Sequence, residues 1–271
     1  MPKKEQIRQM FDDIAPGYDA FNHLSSLGID KCWRRRALRE LPSPVESASD
    51  AGTAAGSEAG SEAAVGSKVG YRVLDVACGT GDFCIAAARY LGRKVRRSGR
   101  SDVAGTPSPF HLTGVDISTG MLEVMVRKIS EAGLAEVVSA EEGDCASLRY
   151  ADGSFDAVTV AFGVRNFEDR EKCLGEILRV LKPGGRFIML ELGVPSCRPV
   201  AWLYRAYFTK ILPLVGRRIS GNRRAYEYLP ASVLAFPKMK EWLATLEGVG
   251  FRACRHRALS LGICRLYIAE K

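Results

Sequence analysis

Two acids and two glycines are crowded into the stretch Val73–Phe83, V-L-D-V-A-C-G-T-G-D-F. Asp75 and Asp82 bracket a loop that contains Gly79 and Gly81. Glycine admits positive φ and lets backbone N–H groups come close to a ligand. A dinucleotide loop of the form G-x-G-x-x-G would need a third glycine where this chain has Cys84, and its pyrophosphate would be opposed by the two carboxylates. The loop suits a ligand that carries positive charge or bare hydroxyls.

Two more acids follow in series. Asp116 ends L-T-G-V-D, where a carboxylate can accept hydrogen bonds from both hydroxyls of a ribose. Asp144, in E-G-D-C, stands where an adenine amino group could donate to it. Any one of these acids could serve as a helix N-cap. Three in order, each after an apolar run, favour an adenosyl sulfonium, which satisfies the charge and the hydroxyls together. Arg165 follows a further apolar run, and a guanidinium fixed there could stabilise a developing phenolate or form a structural ion pair.

The elements that must hold these residues alternate. Short apolar runs at Tyr71–Val76, His111–Val115, Glu136–Ala140, Phe155–Ala161 and Arg186–Leu192 are expected as strands. Between them Asp82–Leu91 reads as a helix. Leu122, Met125, Val126 and Ile129 keep the i, i+3, i+4, i+7 spacing of an amphipathic helix, and Leu174, Ile177, Leu178 and Leu181 repeat it up to Pro183-Gly184-Gly185. Phe251–Arg257 and Cys264–Ala269 would close the sheet. Alternating β and α units imply a parallel sheet with helices on both faces and a ligand at the carboxyl ends of its strands.

Two stretches look inserted. Residues 43–70 are almost entirely Ser, Ala, Gly and Glu, too poor in large apolar side chains to offset their ordering entropy, and read as a linker. Residues 92–110 carry Arg93, Lys94, Arg96, Arg97 and Arg100 among Gly, Ser and Pro and read as a solvated basic loop. The organisation is then 1–42, a linker, and a main domain over 71–271. The chain of 271 residues carries 39 basic and 31 acidic side chains, a surplus that permits anionic partners without demanding one. Its eight cysteines form no C-x-x-C pair and its three histidines lie far apart, so neither a metal site nor a disulfide framework is expected. The N-terminus has no signal-peptide core, and a reducing cytoplasmic setting is expected.

The segments D-V-A-C-G-T-G-D, G-V-D-I-S-T-G-M-L, S-F-D-A-V-T-V-A-F-G-V-R-N and R-V-L-K-P-G-G-R resemble the S-adenosylmethionine-dependent C-methyltransferases of menaquinone and ubiquinone biosynthesis. So do the N-terminal F-D-D-I-A-P-G-Y-D-A-F-N-H-L-S-S-L-G-I-D-K-C-W-R-R and the later Y-L-P-A-S. The resemblance implies a doubly wound, mostly parallel, seven-stranded α/β sheet under an N-terminal helical cap over residues 1–42. It implies S-adenosyl-L-methionine as cofactor, held by Asp75, Gly79, Thr80, Gly81, Asp116, Asp144 and Cys145. The chain departs from the family at Ala161, where a hydroxyl residue is common, and at Glu191-Leu-Gly-Val-Pro195, where the family usually has E-F-S-x-P.

The implied acceptor is a prenylated quinol, demethylmenaquinol before a ubiquinone precursor. Arg165 and Tyr18 are the expected catalytic residues, the first holding phenolate charge and the second gripping the acceptor hydroxyl from the cap. From Arg198 to Arg224 there are seven basic and no acidic residues, interleaved with Trp202, Tyr204, Tyr207 and Phe208. This part of a helical region over 197–235 could dock on anionic lipid at the inner face of the membrane. No nucleic-acid partner is expected, and a homodimer is compatible with this reading. A methyltransferase acting on RNA or another small molecule, and a non-catalytic scaffold, are the competing classes.

Overall fold

The computed structural model describes residues 3–42, 70–98, 108–195, 197–207 and 223–271. The linker over 43–69 and the middle of the second basic stretch, 99–107, lie outside these residues, as do Phe208, Ile211 and Pro213 of the proposed membrane helix. The chain opens with α1 (Lys4–Ile14), a 3-10 turn (Ala15–Gly17), α2 (Tyr18–Ser25) and α3 (Ile29–Leu38). The core then runs β1 (Tyr71–Val76), α4 (Asp82–Arg97), β2 (Phe110–Asp116), α5 (Thr119–Glu131), β3 (Val138–Glu142) and β4 (Phe155–Ala161). It continues through α6 (Arg170–Val180), β5 (Leu181–Leu192), α7 (Arg198–Ala206), α8 (Arg223–Ala235), α9 (Met239–Val249), β6 (Arg252–Leu259) and β7 (Cys264–Glu270).

The strands form one seven-stranded sheet in the order β3-β2-β1-β4-β5-β7-β6. Pairs from β3 to β5 are parallel, and β7 pairs antiparallel with both β5 and β6. The order reverses between β1 and β4, which opens a crevice at their carboxyl ends. Because both faces are covered, the strands read as continuous apolar runs. Val73 packs with α3, α4 and α5 on one face, while its neighbours Leu74 and Val76 pack with α6 and α9 on the other.

Local chemistry sets the loops at the crevice. Gly81 precedes α4 at φ 77, and a Cβ there would collide with the side chain of Met125. Ser118 caps α5 by accepting from the Met121 N–H at 3.1 Å, and Asp169 caps α6 by accepting from Lys172 at 2.9 Å.

Several boundaries differ from those read in the sequence. The helix expected to stop at Leu91 runs to Arg97, so Arg93, Lys94, Arg96 and Arg97 are helical and not part of a loop. Leu91 and Val95 keep the buried stripe going, and the cations occupy the opposite face. The third strand begins two residues later than expected because Val137 is held in a turn by the Leu134 carbonyl. Leu181 belongs to β5, since its extended backbone already pairs with Phe155.

Candidate active site

Two cavities meet at the carboxyl ends of β1 and β4. The first, of about 290 Å³, is walled by Gly79 and Asp116 from the core and by Lys4, Ile7 and Phe11 from α1. Asp144 and Cys145 also line it. The second, of about 280 Å³, is largely apolar and runs between the cap and the core, with Trp33, Leu192, Tyr204 and Ile263 in its wall. Arg165 lines it as well. Tyr18 and Phe162 are common to both walls. Phe162 holds a left-handed backbone (φ 64) immediately after β4, which turns the chain at that junction.

In the first cavity Asp116 is half-buried and braced by its own loop. One carboxylate oxygen accepts from the Gly79 N–H at 2.8 Å and the other from the Ser118 N–H at 2.9 Å. Burial pushes this carboxyl up, against the pull of those N–H groups. A carboxylate offers about four acceptor positions, so two remain for a vicinal diol. Asp144 accepts from the Ala146 N–H at 2.9 Å and from Lys4 Nζ at 2.8 Å. Despite partial burial, its carboxyl is held below the ordinary range by Lys4 and that N–H. Ile117, Met121 and Phe167 supply apolar surface between these polar ends. Such a donor and acceptor set fits an adenosine with a short charged tail.

Three expected cofactor residues lie elsewhere. Asp75 is buried at the end of β1, accepting from Thr159 Oγ1 at 2.6 Å and from Cys84 Sγ at 3.4 Å, and does not line the cavity. Burial pushes its carboxyl up to about 7. Thr80 also lies off the wall; its hydroxyl donates to Asp19 of the cap at 2.5 Å. Gly81 shapes the loop from behind, against Met125. The apolar run that ends at Asp75 points the strand, not the carboxylate, at the crevice, which the sequence pattern does not reveal.

Arg165 is almost fully buried in the 3-10 turn Val164–Asn166. Its Nη1 donates to Glu191 Oε1 at 2.8 Å and to the Phe162 carbonyl, while its backbone N–H donates to Glu191 Oε2 at 3.1 Å. Nε is buried without a hydrogen-bond partner among the described residues. Burial works against its charge, but Glu191 and the nearby Tyr18 outweigh that, so the guanidinium stays charged. Burial raises the Tyr18 hydroxyl, while Arg165 and a hydrogen bond with Asn22 oppose the rise. Arg165 is thus an ion-pair member that also lines the apolar cavity.

The cap is tied to the core by charge. Lys128 Nζ bridges Asp19 at 2.7 Å and Asp82 at 2.5 Å, and Arg34 bridges Asp30 at 2.6 Å and Asp82 at 3.0 Å. Asp12 of α1 accepts from Ser118 Oγ at 2.6 Å and from the Gly120 N–H at 3.0 Å, sitting over the start of α5. Sequence reasoning missed Lys4, Phe11, Asp12, Phe162 and the partnership of Glu191. The i, i+4 spacing of Ile7 and Phe11, and a lone acid ending I-M-L-E-L, were the available signals. The Y-L-P-A-S segment lies against F-G-V-R-N: Tyr228 OH donates to Asn166 Oδ1 at 3.1 Å, and Leu229 lines the apolar cavity.

The ubiE/COQ5 methyltransferase family matches residues 1–271. The chain belongs to this family. A demethylmenaquinone methyltransferase of Bacteroides fragilis is 40% identical over 269 residues, covering 99% of this chain and 94% of the relative. The ubiquinone/menaquinone biosynthesis C-methyltransferase UbiE of Geotalea daltonii is 38% identical, with 99% and 97% covered. Among solved structures, a SAM-dependent methyltransferase from Aquifex aeolicus shares the fold, with a TM-score of 0.51 at 18% identity over 85% of this chain and 90% of that one. The chain is thus a methyltransferase, with S-adenosyl-L-methionine as methyl donor and a class I fold for that chemistry.

Proposed function

We propose that this protein methylates a ring carbon of a prenylated quinol, converting demethylmenaquinol to menaquinol. The observation that carries the reading is the junction of two unlike cavities. One is walled by the carboxylates of Asp116 and Asp144, the other is largely apolar with the guanidiniums of Arg165 and Arg34 in its wall, and among the described residues only Tyr18 and Phe162 belong to both. The names of the relatives support a quinone acceptor.

S-adenosylmethionine supplies an electrophilic methyl group when bound. Asp116 would hold its ribose through the free lone pairs, Asp144 would receive the adenine amino group, and Gly79 would pack against it closely, with Cys145 in the wall beside Asp144. The remaining work belongs to the acceptor cavity. A quinol ring attacks best as its hydroxyl loses a proton, because the phenolate pushes charge to the ortho carbon. Arg165, in the wall of this cavity, holds that charge, in surroundings where a fixed cation is worth far more than in water. Glu191 keeps the guanidinium from turning away. Arginine does not accept protons at ordinary pH, so the ring proton leaves through water. Tyr18 orients the acceptor hydroxyl, and the closed cap excludes bulk water. Aligning the two reactants is worth roughly 7–11 kcal/mol of the barrier.

No helix among the described residues is long and apolar enough to cross a membrane. Peripheral contact at the cytoplasmic face fits the exposed rim: Leu27 (81%) and Ile29 line the mouth of the apolar cavity, and Trp202 (70%) and Leu203 stand on α7. The test is direct. Purified protein, S-adenosylmethionine and chemically reduced demethylmenaquinone should yield menaquinol by mass spectrometry, whereas the oxidised quinone should not react. Equal turnover of both redox forms, or none of the quinol, overturns the reading.

A further inference from the structure

A third hollow, of about 660 Å³, lies outside both cavities, between α3 of the cap and α4 and α5 of the core. Six cations line it: Lys31, Arg34 and Arg35 from α3, Arg89 and Arg93 from α4, and Lys128 from α5. Among the described residues only two carboxylates, Asp82 and Glu131, share the wall. Asp82 is already held by Arg34 and Lys128, and Glu131 faces Arg127 at 4.0 Å. Lys31, Arg35, Arg89 and Arg93 have no acidic partner among the described residues. Cations brought together from two helices repel unless an anion lies between them. An anion between them relieves that repulsion and meets several cations at once.

We propose that this hollow is a second ligand site, which binds a phosphate-bearing anion and thereby holds the cap on the core. Three features select the ligand. The cations are arginine-rich, and the guanidinium fork matches phosphate oxygens. They line one hollow and do not form a long stripe, which suits a phosphate or diphosphate group better than a nucleic-acid backbone. They come from both bodies, Lys31 and Arg35 from the cap and Arg89 and Arg93 from the core, so one anion touches both. Arg34 carries the effect inward, because it lines this hollow and the acceptor cavity alike. The phosphate could belong to a lipid headgroup or to a soluble phosphate ester, and the chemistry of recognition is the same.

The test uses the full chain. Inorganic pyrophosphate should raise the melting temperature by about 2–4 °C over sodium chloride of equal ionic strength. Separately, vesicles containing phosphatidylglycerol should pull the protein down in sedimentation where phosphatidylcholine vesicles do not. Response to pyrophosphate alone identifies a soluble ligand, and response to the vesicles alone identifies a headgroup; either supports the site. Arg89→Ser/Arg93→Ser alters exposed residues of α4 that line neither the cofactor nor the acceptor cavity. It should abolish the response, and so should Lys31→Ser/Arg35→Ser from the other side of the hollow. The proposal fails if neither anion acts, if either double variant responds like the wild type, or if only single-stranded RNA binds through these four side chains.

Discussion

Replacing Arg165 by methionine separates its two roles. Arg165 and Glu191 are both almost fully buried, with 2.8 Å between Nη1 and Oε1. At that distance and an effective dielectric of about 20, the gross attraction is about 6 kcal/mol. Desolvation removes much of this, and breaking a buried pair from one side costs about 3–5 kcal/mol because the remaining charge is orphaned. For a domain of this size that is a fall in melting temperature of about 6–20 °C. Adding Glu191→Gln removes the orphaned charge while keeping an amide oxygen that can accept from a backbone N–H, and should restore most of the stability. It should not restore turnover, because the Arg165 guanidinium is still missing from the acceptor cavity. Turnover should stay down by about 100-fold or more, the loss expected for one preorganised donor. The assay pairs a thermal melt with initial rates on reduced quinol at saturating S-adenosylmethionine. A double variant whose turnover recovers in step with its melting temperature would show that Arg165 is structural only, and the chemistry would pass to Tyr18.

Asp116→Ala should weaken S-adenosylmethionine binding at least about tenfold by titration calorimetry, through loss of the ribose acceptor and of the Gly79 contact; unchanged affinity would leave it as a loop brace. Because burial raises the Asp75 carboxyl to about 7, the folded chain keeps a proton that the unfolded chain releases above about pH 4, and the stability this adds is full below that point and lost as pH rises through 7. Asp75→Asn should flatten the pH dependence of melting across that window, and an unaltered slope refutes the assignment. Asp19→Ala removes the cap's bonds to Lys128 and Thr80 and should raise the KM for both substrates while the core melts as before, since the cap opens locally. Deleting Ser47–Lys68 should leave stability and turnover nearly intact, because loop closure depends only weakly on length.

Much of the sheet was legible because strands buried on both faces leave continuous apolar runs. Asp116 and Asp144 were legible too, since an acid after a strand in this topology faces the crevice. Asp75 was not: it sits one residue before the strand ends, where the alternation turns its carboxylate inward to Thr159. The basic stretch after Gly92 was misread because charge dominates its composition while its buried residues, Leu91 and Val95, are few. Glu191 and Lys4 escaped for a different reason. Their partners, Arg165 and Asp144, are 26 and 140 residues away, and no local pattern carries such a pairing.

The same long separations have a consequence for the chain as it is made. Lys4 must find Asp144 and Glu168, and Trp33 donates to Ser260, 227 residues further on, at 2.8 Å. At roughly 5–20 residues per second on the ribosome, Ser260 appears about 11–45 s after Trp33. The cap helices are therefore synthesised well before the residue that completes their seat. Until then, the Ser, Ala, Gly and Glu stretch behind them offers little apolar surface for a premature partner. A nascent chain stalled before Ser260 would carry every acid of the nucleoside site and still lack the hydroxyl to which Trp33 of the cap donates. Full seating of the cap thus waits until Ser260 has been made.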